Sequence, residues 1–268
     1  MLTVDARAKQ FEHVLMTSPK QTELHAQPCS IRVVKGQLWV AECEGTIDIF
    51  TATAKTTLIQ TIDHKDEHEV IYDVVEAENG HVILATQTGL AYLETAADVA
   101  PTFIDRGDFK SVDAANGLLY AYDYVQGTIN VYTFDAGAWT KERCFKPPYD
   151  VKTFATIRVQ NDTCLICSMD ADKIYSTDLN GELLQSYGDT GKQMPGRLSY
   201  PSLCQQDAAG SILVADHDNH RIQMMDATGK WSVLVQLGAQ EFPRGAAQVG
   251  SKLYVVSYGS TNQLTTYG

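Results

Sequence analysis

Six times along this chain a tight turn leads straight into a strongly apolar strand. The turns are Lys35-Gly36 before QLWVAE, Asn79-Gly80 before HVILAT, Asn116-Gly117 before LLYAYD, Asn161-Asp162 before TCLICS, Ala209-Gly210 before SILVAD, and Gly250 before SKLYVVS. Gly and Asn tolerate the positive φ that two-residue hairpin connections require. The second turn residues fall at 36, 80, 117, 162, 210 and 250. That is an irregular period of about 43, the size of one four-stranded propeller blade. Third strands recur in step as TIDIF, GLAYL, TINVY, KIYST, RIQMM and QLTTY, and fourth strands as TTLIQTI, VAPTFID, TKERCFK, LLQSYG and WSVLVQL. Apolar runs such as ILVA and LYVV suit central strands covered on both faces. No stretch offers a helix of ordinary length. The pattern predicts an all-β chain, a six-bladed β-propeller of four-stranded antiparallel blades forming one domain over 1–268. A sandwich pair is the competing arrangement, because turn-and-strand spacing alone does not separate all-β folds.

The sixth unit lacks a fourth strand, since the sequence stops at Tyr267-Gly268, while an apolar strand at 11–17, FEHVLMT, is left over. The economical expectation is that this N-terminal strand joins the last blade, closing the ring and removing an exposed edge. On that reading the chain is a whole propeller.

At 268 residues the chain can bury a core without disulfides or metal. The net charge of −12 opposes sequence-independent binding to nucleic acid or an anionic membrane, though not a local basic face. No run of 18 apolar residues and no apolar leader is present, which together suggest a cytoplasmic protein. The cysteines at 29, 43, 144, 164, 167 and 204 match no disulfide framework and read as reduced, half-buried thiols.

The fifth unit, 195–231, carries a family signature. Gly196, Pro201, Asp207, Gly210, Val214-Ala215-Asp216, Asn219-His220-Arg221-Ile222-Gln223 and Gly229 resemble an NHL repeat. The other units keep only its skeleton: where the fifth has Asp216, they have Glu42, Thr86, Tyr122 (with Asp123 just beyond), Ser168 and Ser257. Such degeneracy is similar to the C-terminal propeller of the tripartite-motif (TRIM-NHL) family, although no Cys/His ligand series or heptad run accompanies it. The resemblance implies a non-catalytic recognition domain, binding a protein partner, a ubiquitination substrate among them, or single-stranded or hairpin RNA. Asp216, Asn219 and Arg221 are expected to brace the polar turn between them, since buried charges are mostly paired for structural reasons.

Candidates for chemistry are weak. The stretch 63–69, DHKDEHE, sets two imidazoles four apart among carboxylates, but it is too short and polar to bury a helix and reads as a solvated loop. Cys164 and Cys167 fall three apart in a strand and point to opposite faces. Gly188 to Lys192 lacks the first Gly and the Ser/Thr of a phosphate loop, and Asp216-x-Asp218 meets Arg221 where a calcium loop needs Gly. The innermost strands SIRVV, DVVEA, SVDAA, ATIRV, SLCQQ and GAAQV show no recurring ring of His and acids. No cofactor, metal or enzymatic activity is therefore expected. A metal-dependent propeller hydrolase or lyase is the third reading, by analogy of fold.

Function is expected in the loops of one face, where interblade connections and second-to-third-strand loops meet. The candidate partner-binding residues are Lys110, Tyr149, Lys152, Arg197, Tyr200, His220, Phe242, Arg244 and Tyr258, with Lys20, Arg106, Lys146 and Lys192 as further cations of the interblade connections. Glu44, Asp170, Asp172, His217 and Asp218 lie between them. Mixed charge with aromatics suits a protein or peptide partner. RNA would use the same cations and rings against an acidic background. The isolated domain is expected to be monomeric.

Overall fold

The computed structural model describes residues 19–53, 55–64, 70–94, 101–147, 154–192 and 194–268, with backbone only at 203 and 204. Six four-stranded antiparallel sheets follow one another as blades. Their inner strands are Pro28–Val34, Ile71–Glu76, Phe109–Ala115, Ala155–Gln160, Pro201–Gln206 and Phe242–Val249. Each packs beside the next and the last beside the first, which makes a closed six-bladed β-propeller. The hairpin turns form as their residues require. Lys35 and Gly36 take φ of 50° and 74°, and Asn116 and Gly117 take 55° and 75°, the paired positive values that match strand twist.

Apolar surface is buried between blades. Trp39, Ile47 and Ile49 of blade 1 pack on Val74 and Leu84 of blade 2, and Tyr120 and Tyr122 of blade 3 pack on Ile157 and Ile166 of blade 4. Second strands are accordingly buried along almost their whole length, as in Gln37–Glu42, while the outer strand Leu58–Asp63 of the same blade is exposed at all but one position. The only described helical turn is a 3-10 turn, His217–Asn219.

The ring closes on an N-terminal strand, but not on the expected residues. Lys20–Glu23 pairs with Gln263–Tyr267, Lys20 opposite Thr266 and Glu23 opposite Gln263, so Lys20 belongs to this outer strand and not to a binding loop. The stretch 11–17 lies outside the described residues.

The blades share one polar device at the end of the second strand. In blade 5, Asp216 is fully buried. Its Oδ1 accepts from the Ser199 amide, and its Oδ2 accepts from Asn219 Nδ2, Arg221 Nε and Gln223 Nε2 at 2.8 Å each. Glu42 takes the Thr46 hydroxyl, Thr86 bonds Gly89, Asp123 takes the Gln126 amide and Ser168 takes the Ala171 amide. Asp123, not Tyr122, holds this place in blade 3, because Tyr122 points into the interblade core. In blade 6 the equivalent Ser257 hydroxyl is buried without a hydrogen bond to any described group.

Candidate recognition face

Antiparallel blades place all interblade connections and all second-to-third-strand turns at one end, here the top. The channel beneath that end is filled. Arg32 donates from Nε and Nη2 to the two oxygens of Asp73 and from Nη2 to the Val112 carbonyl. Asp73 also accepts from the Ser111 hydroxyl, and Arg158 stands 3.5 Å away. Asp113 takes the Val159 amide at 2.7 Å and lies 3.7 Å from Arg32. Two guanidinium and two carboxylate groups, all buried, thus balance one another across blades 1 to 4.

Four inner strands carry a β-bulge just inside the top: Cys29 between Pro28 and Ser30, Tyr72 between Ile71 and Asp73, Lys110 between Phe109 and Ser111, and Arg244 between Pro243 and Gly245. A bulge inserts a residue without a cross-strand partner and re-aims its side chain. All four lie near the top ends of their inner strands.

Lys110 is therefore an inner-strand residue, not the loop cation expected, and it is only 6% exposed. Its Nζ lies 2.7 Å from the Asp108 carboxylate and 3.8 Å above the Tyr72 ring, with Phe154 and Tyr124 at 4.7 and 5.1 Å. Burial pulls its pKa down against the opposing Asp108. Next to this caged cation, Val125 is 75% exposed.

On the opposite side, blades 5 and 6 build an arc of rings. Phe242 lies 5.5 Å from Tyr258 in a stacked pair, 5.1 Å from His217 and 4.7 Å from His220. Tyr200 reaches His217 at 5.4 Å, and the Arg244 guanidinium stands 5.1 Å from the Tyr258 ring centre. His220, at φ 52°, closes the 3-10 turn and bonds the Glu241 carbonyl through Nδ1 at 2.9 Å. His217 contacts Asp218 through Nδ1 and the Tyr258 hydroxyl through Nε2 at 2.9 Å. Burial lowers the His217 pKa and Asp218 opposes the shift. Among the described residues no carboxylate ion-pairs with Arg244; the nearby charges that feel it are Cys29 and Cys43, Tyr200 and His217.

Of the residues singled out in the sequence, Tyr200, His220, Phe242, Arg244 and Tyr258 thus come together. Arg197 does not join them. It sits in a short parallel pairing with Asp189–Thr190 between blades 4 and 5, exposed, with Nη1 on the Thr190 carbonyl. Arg106 ends the outer strand of blade 2 and covers Phe103 at 3.5 Å. Tyr149 and Lys152 lie outside the described residues. His64, read as part of a solvated loop, is buried. Asp216, Asn219 and Arg221 lie behind the arc, with Arg221 Nη2 also bonding the carbonyls of Met194 and Arg197. Sequence reasoning missed Tyr72, Val125, Phe154 and the pair Cys29 and Cys43, whose sulfurs are 2.7 Å apart.

Aromatic residues also gather at the other end of the disc, where His81 stacks on Tyr92 at 4.6 Å and Trp139 Nε1 donates to His81 Nδ1 at 3.3 Å. No described helix is long and apolar enough to cross a membrane. Among the described residues, no group of three or more His, Cys, Asp or Glu side chains is placed to hold a metal ion.

No protein-family model and no curated protein matches the chain. Solved structures do. An auxiliary nutrient binding protein from Bacteroides ovatus is similar at 14% identity and a TM-score of 0.67 over 90% of this chain and 69% of that one. A catalytically inactive variant of virginiamycin B lyase from Staphylococcus aureus with quinupristin gives 13% and 0.60 over 94% and 99%. The WD40 propeller domain of Doa1 gives 10% and 0.63 over 96% and 97%. At these identities the likeness shows the β-propeller fold, while the tripartite-motif resemblance rests on the residues of blade 5 alone.

Proposed function

We propose that this protein is a non-catalytic recognition module that captures a protein or peptide partner on its top face. The observation that carries this reading is the arc of Tyr200, His217, His220, Phe242 and Tyr258 with Arg244 at its inner end. Aromatic side chains and arginine on a rigid frame are the residue types that dominate binding energy at interfaces, and blades on either side hold each ring in place. The name of one similar structure, a nutrient binding protein, accords with a binding role. A ubiquitination substrate, the partner implied by the blade 5 resemblance, gains nothing further from the fold.

Selection of a displayed random-peptide library tests the proposal. Enriched sequences should bind wild type and lose at least about ten-fold in affinity on Phe242→Ala with Arg244→Ala, since one hot-spot residue contributes about 1.4 kcal/mol or more. No enrichment, or enriched peptides indifferent to that double change, contradicts it. RNA recognition predicts instead a salt-sensitive shift with short single strands.

A second reading, acid–base catalysis, rests on the chain Asp218, His217, Tyr258. A carboxylate orients an imidazole whose other nitrogen meets a hydroxyl, the order in which a general base is assembled. His217→Gln separates the two. A binding module, in which His217 is one ring of the arc, loses peptide affinity and has no turnover to lose, whereas an enzyme loses turnover by about 10²-fold or more.

A further inference from the structure

Cys29 and Cys43 stand 14 residues apart in sequence with their sulfurs 2.7 Å apart. The hairpin alone would not place them so. Its ladder sets Pro28 opposite Glu42 and Ser30 opposite Ala41, and the bulge between them pushes Cys29 out of register. Cys43 begins the turn beyond the second strand, where its amide bonds the Gln27 carbonyl at 2.9 Å. Both residues are partly exposed at the top end of blade 1, with the Cys29 sulfur the more deeply buried, and Arg244 of blade 6 is close enough to act on both.

The two sulfurs are not equivalent. The hydrogen bond between the two thiols lowers the Cys43 pKa, against burial; Arg244 adds to the lowering, and Glu42 and Glu44 oppose it. Cys29 is raised by that same bond and by burial, with Arg244 again opposing and Glu42 assisting. The shifts bias the proton toward Cys29 and away from Cys43. The other described cysteines differ. Cys164 and Cys167 are fully buried core thiols, and Cys144 stands exposed on the outer strand of blade 3.

We propose that Cys29 and Cys43 form a thiol–disulfide exchange site at the top end of blade 1, which accepts oxidising equivalents from low-molecular-weight disulfides. The Cys43 thiolate attacks one sulfur of the small disulfide. That S–S bond breaks, a mixed disulfide forms on Cys43, and the departing thiolate takes up a proton. Cys29 then loses its proton and attacks the Cys43 sulfur, closing the Cys29–Cys43 bond and releasing the second small thiol. Two protein thiols are oxidised, one small disulfide is reduced to two thiols, and no further oxidant is needed. The sulfurs close only from 2.7 Å to the bonded distance of about 2.05 Å. The resulting bond ties the inner strand of blade 1 to its top turn. It does not depend on what the top face binds, so the site and the recognition reading stand or fall separately.

The test equilibrates the full chain with oxidised and reduced glutathione in stepped ratios, followed by acid quench, alkylation and peptide mapping. Cys29 and Cys43 should lose alkylation together and appear in one linked peptide. With oxidised glutathione, Cys29→Ser should trap a single glutathione on Cys43, while Cys43→Ser should modify at Cys29 at least about ten-fold more slowly, because the thiolate is the nucleophile. Wild-type mapping decides even if a variant folds poorly. Cys29 and Cys43 left alkylatable in excess oxidised glutathione would overturn the site, and equal reactivity of the two single variants would overturn the assigned roles.

Discussion

Arg32 and Asp73 meet side-on in the channel, Nε and Nη2 reaching the two carboxylate oxygens at 2.9 and 3.0 Å. The pair joins the inner strands of blades 1 and 2, and through Ser111 and Arg158 it extends to blades 3 and 4. Blades 5 and 6 are tied differently, by the Gln248 amide on the Gln205 side chain at 2.8 Å. A bidentate, fully hydrogen-bonded ion pair is the arrangement that best offsets the cost of removing both charges from water.

Breaking that pair should be costly. Arg32→Met leaves Asp73 with Arg158 as its remaining cation, and about 3–5 kcal/mol of stability should be lost. Urea unfolding measures it, as a lower midpoint at unchanged slope. A loss below about 1 kcal/mol, the range of an exposed pair, would show that the channel plug is not structural.

The same carboxylate sets an acid limit. Burial acts to raise the Asp73 pKa, but Arg32, Arg158 and the hydrogen bonds of Arg32 and Ser111 outweigh it and hold the group below its ordinary 3.8. A depressed carboxyl contributes stability that is present above its unfolded pKa and lost as pH falls through the folded one. Stability of the wild type should therefore decline below pH 3.8, and Asp73→Asn should flatten that decline while lowering stability at neutral pH. Thermal melts across this range check both, and parallel acid limbs would contradict the assignment.

Glu42 has the opposite sign. Burial raises its pKa from an ordinary 4.5 to about 7, against the Thr46 hydrogen bond. A raised carboxyl binds more protons folded than unfolded, so stability falls as pH rises from 4.5 to 7. Glu42→Gln should remove most of that slope, and a melting temperature that falls equally in both proteins would contradict it.

The repeated polar position yields a paired comparison. Asp216→Ala strips the acceptor from four donors and should cost about 2–4 kcal/mol. Ser257→Ala removes a buried hydroxyl that bonds no described group and should be neutral or slightly stabilising. Equal losses in chemical denaturation would refute the idea that this position acts by bracing the turn.

These contrasts show which features the sequence can carry. Turn chemistry at Lys35-Gly36 and Asn116-Gly117, together with buried second strands, made the six blades legible, because both are local. The closing strand Lys20–Glu23, sequence KQTE, is almost wholly exposed. An outer strand needs no apolar face, so the apolar stretch at 11–17 drew the assignment instead. The bulges at Cys29, Tyr72 and Lys110 carry no glycine, and only Arg244 is followed by one, Gly245; without them Lys110 reads as a loop cation and the two thiols as unrelated. Tyr200, Phe242, Arg244 and Tyr258 were found because topology fixes which ends of the strands share a face. Their contacts with His217 depend on the 3-10 turn, which the sequence shows only as a polar loop.

Hydrogen–deuterium exchange of the protein with a selected peptide bound, compared with the free protein, locates recognition on the disc. Protection should rise in 217–220, 237–244 and 258–262 and at the top turns facing them, and should vanish in the Phe242→Ala, Arg244→Ala protein. Protection confined to the opposite end, around His81 and Trp139, or to the outer strands, would contradict top-face recognition.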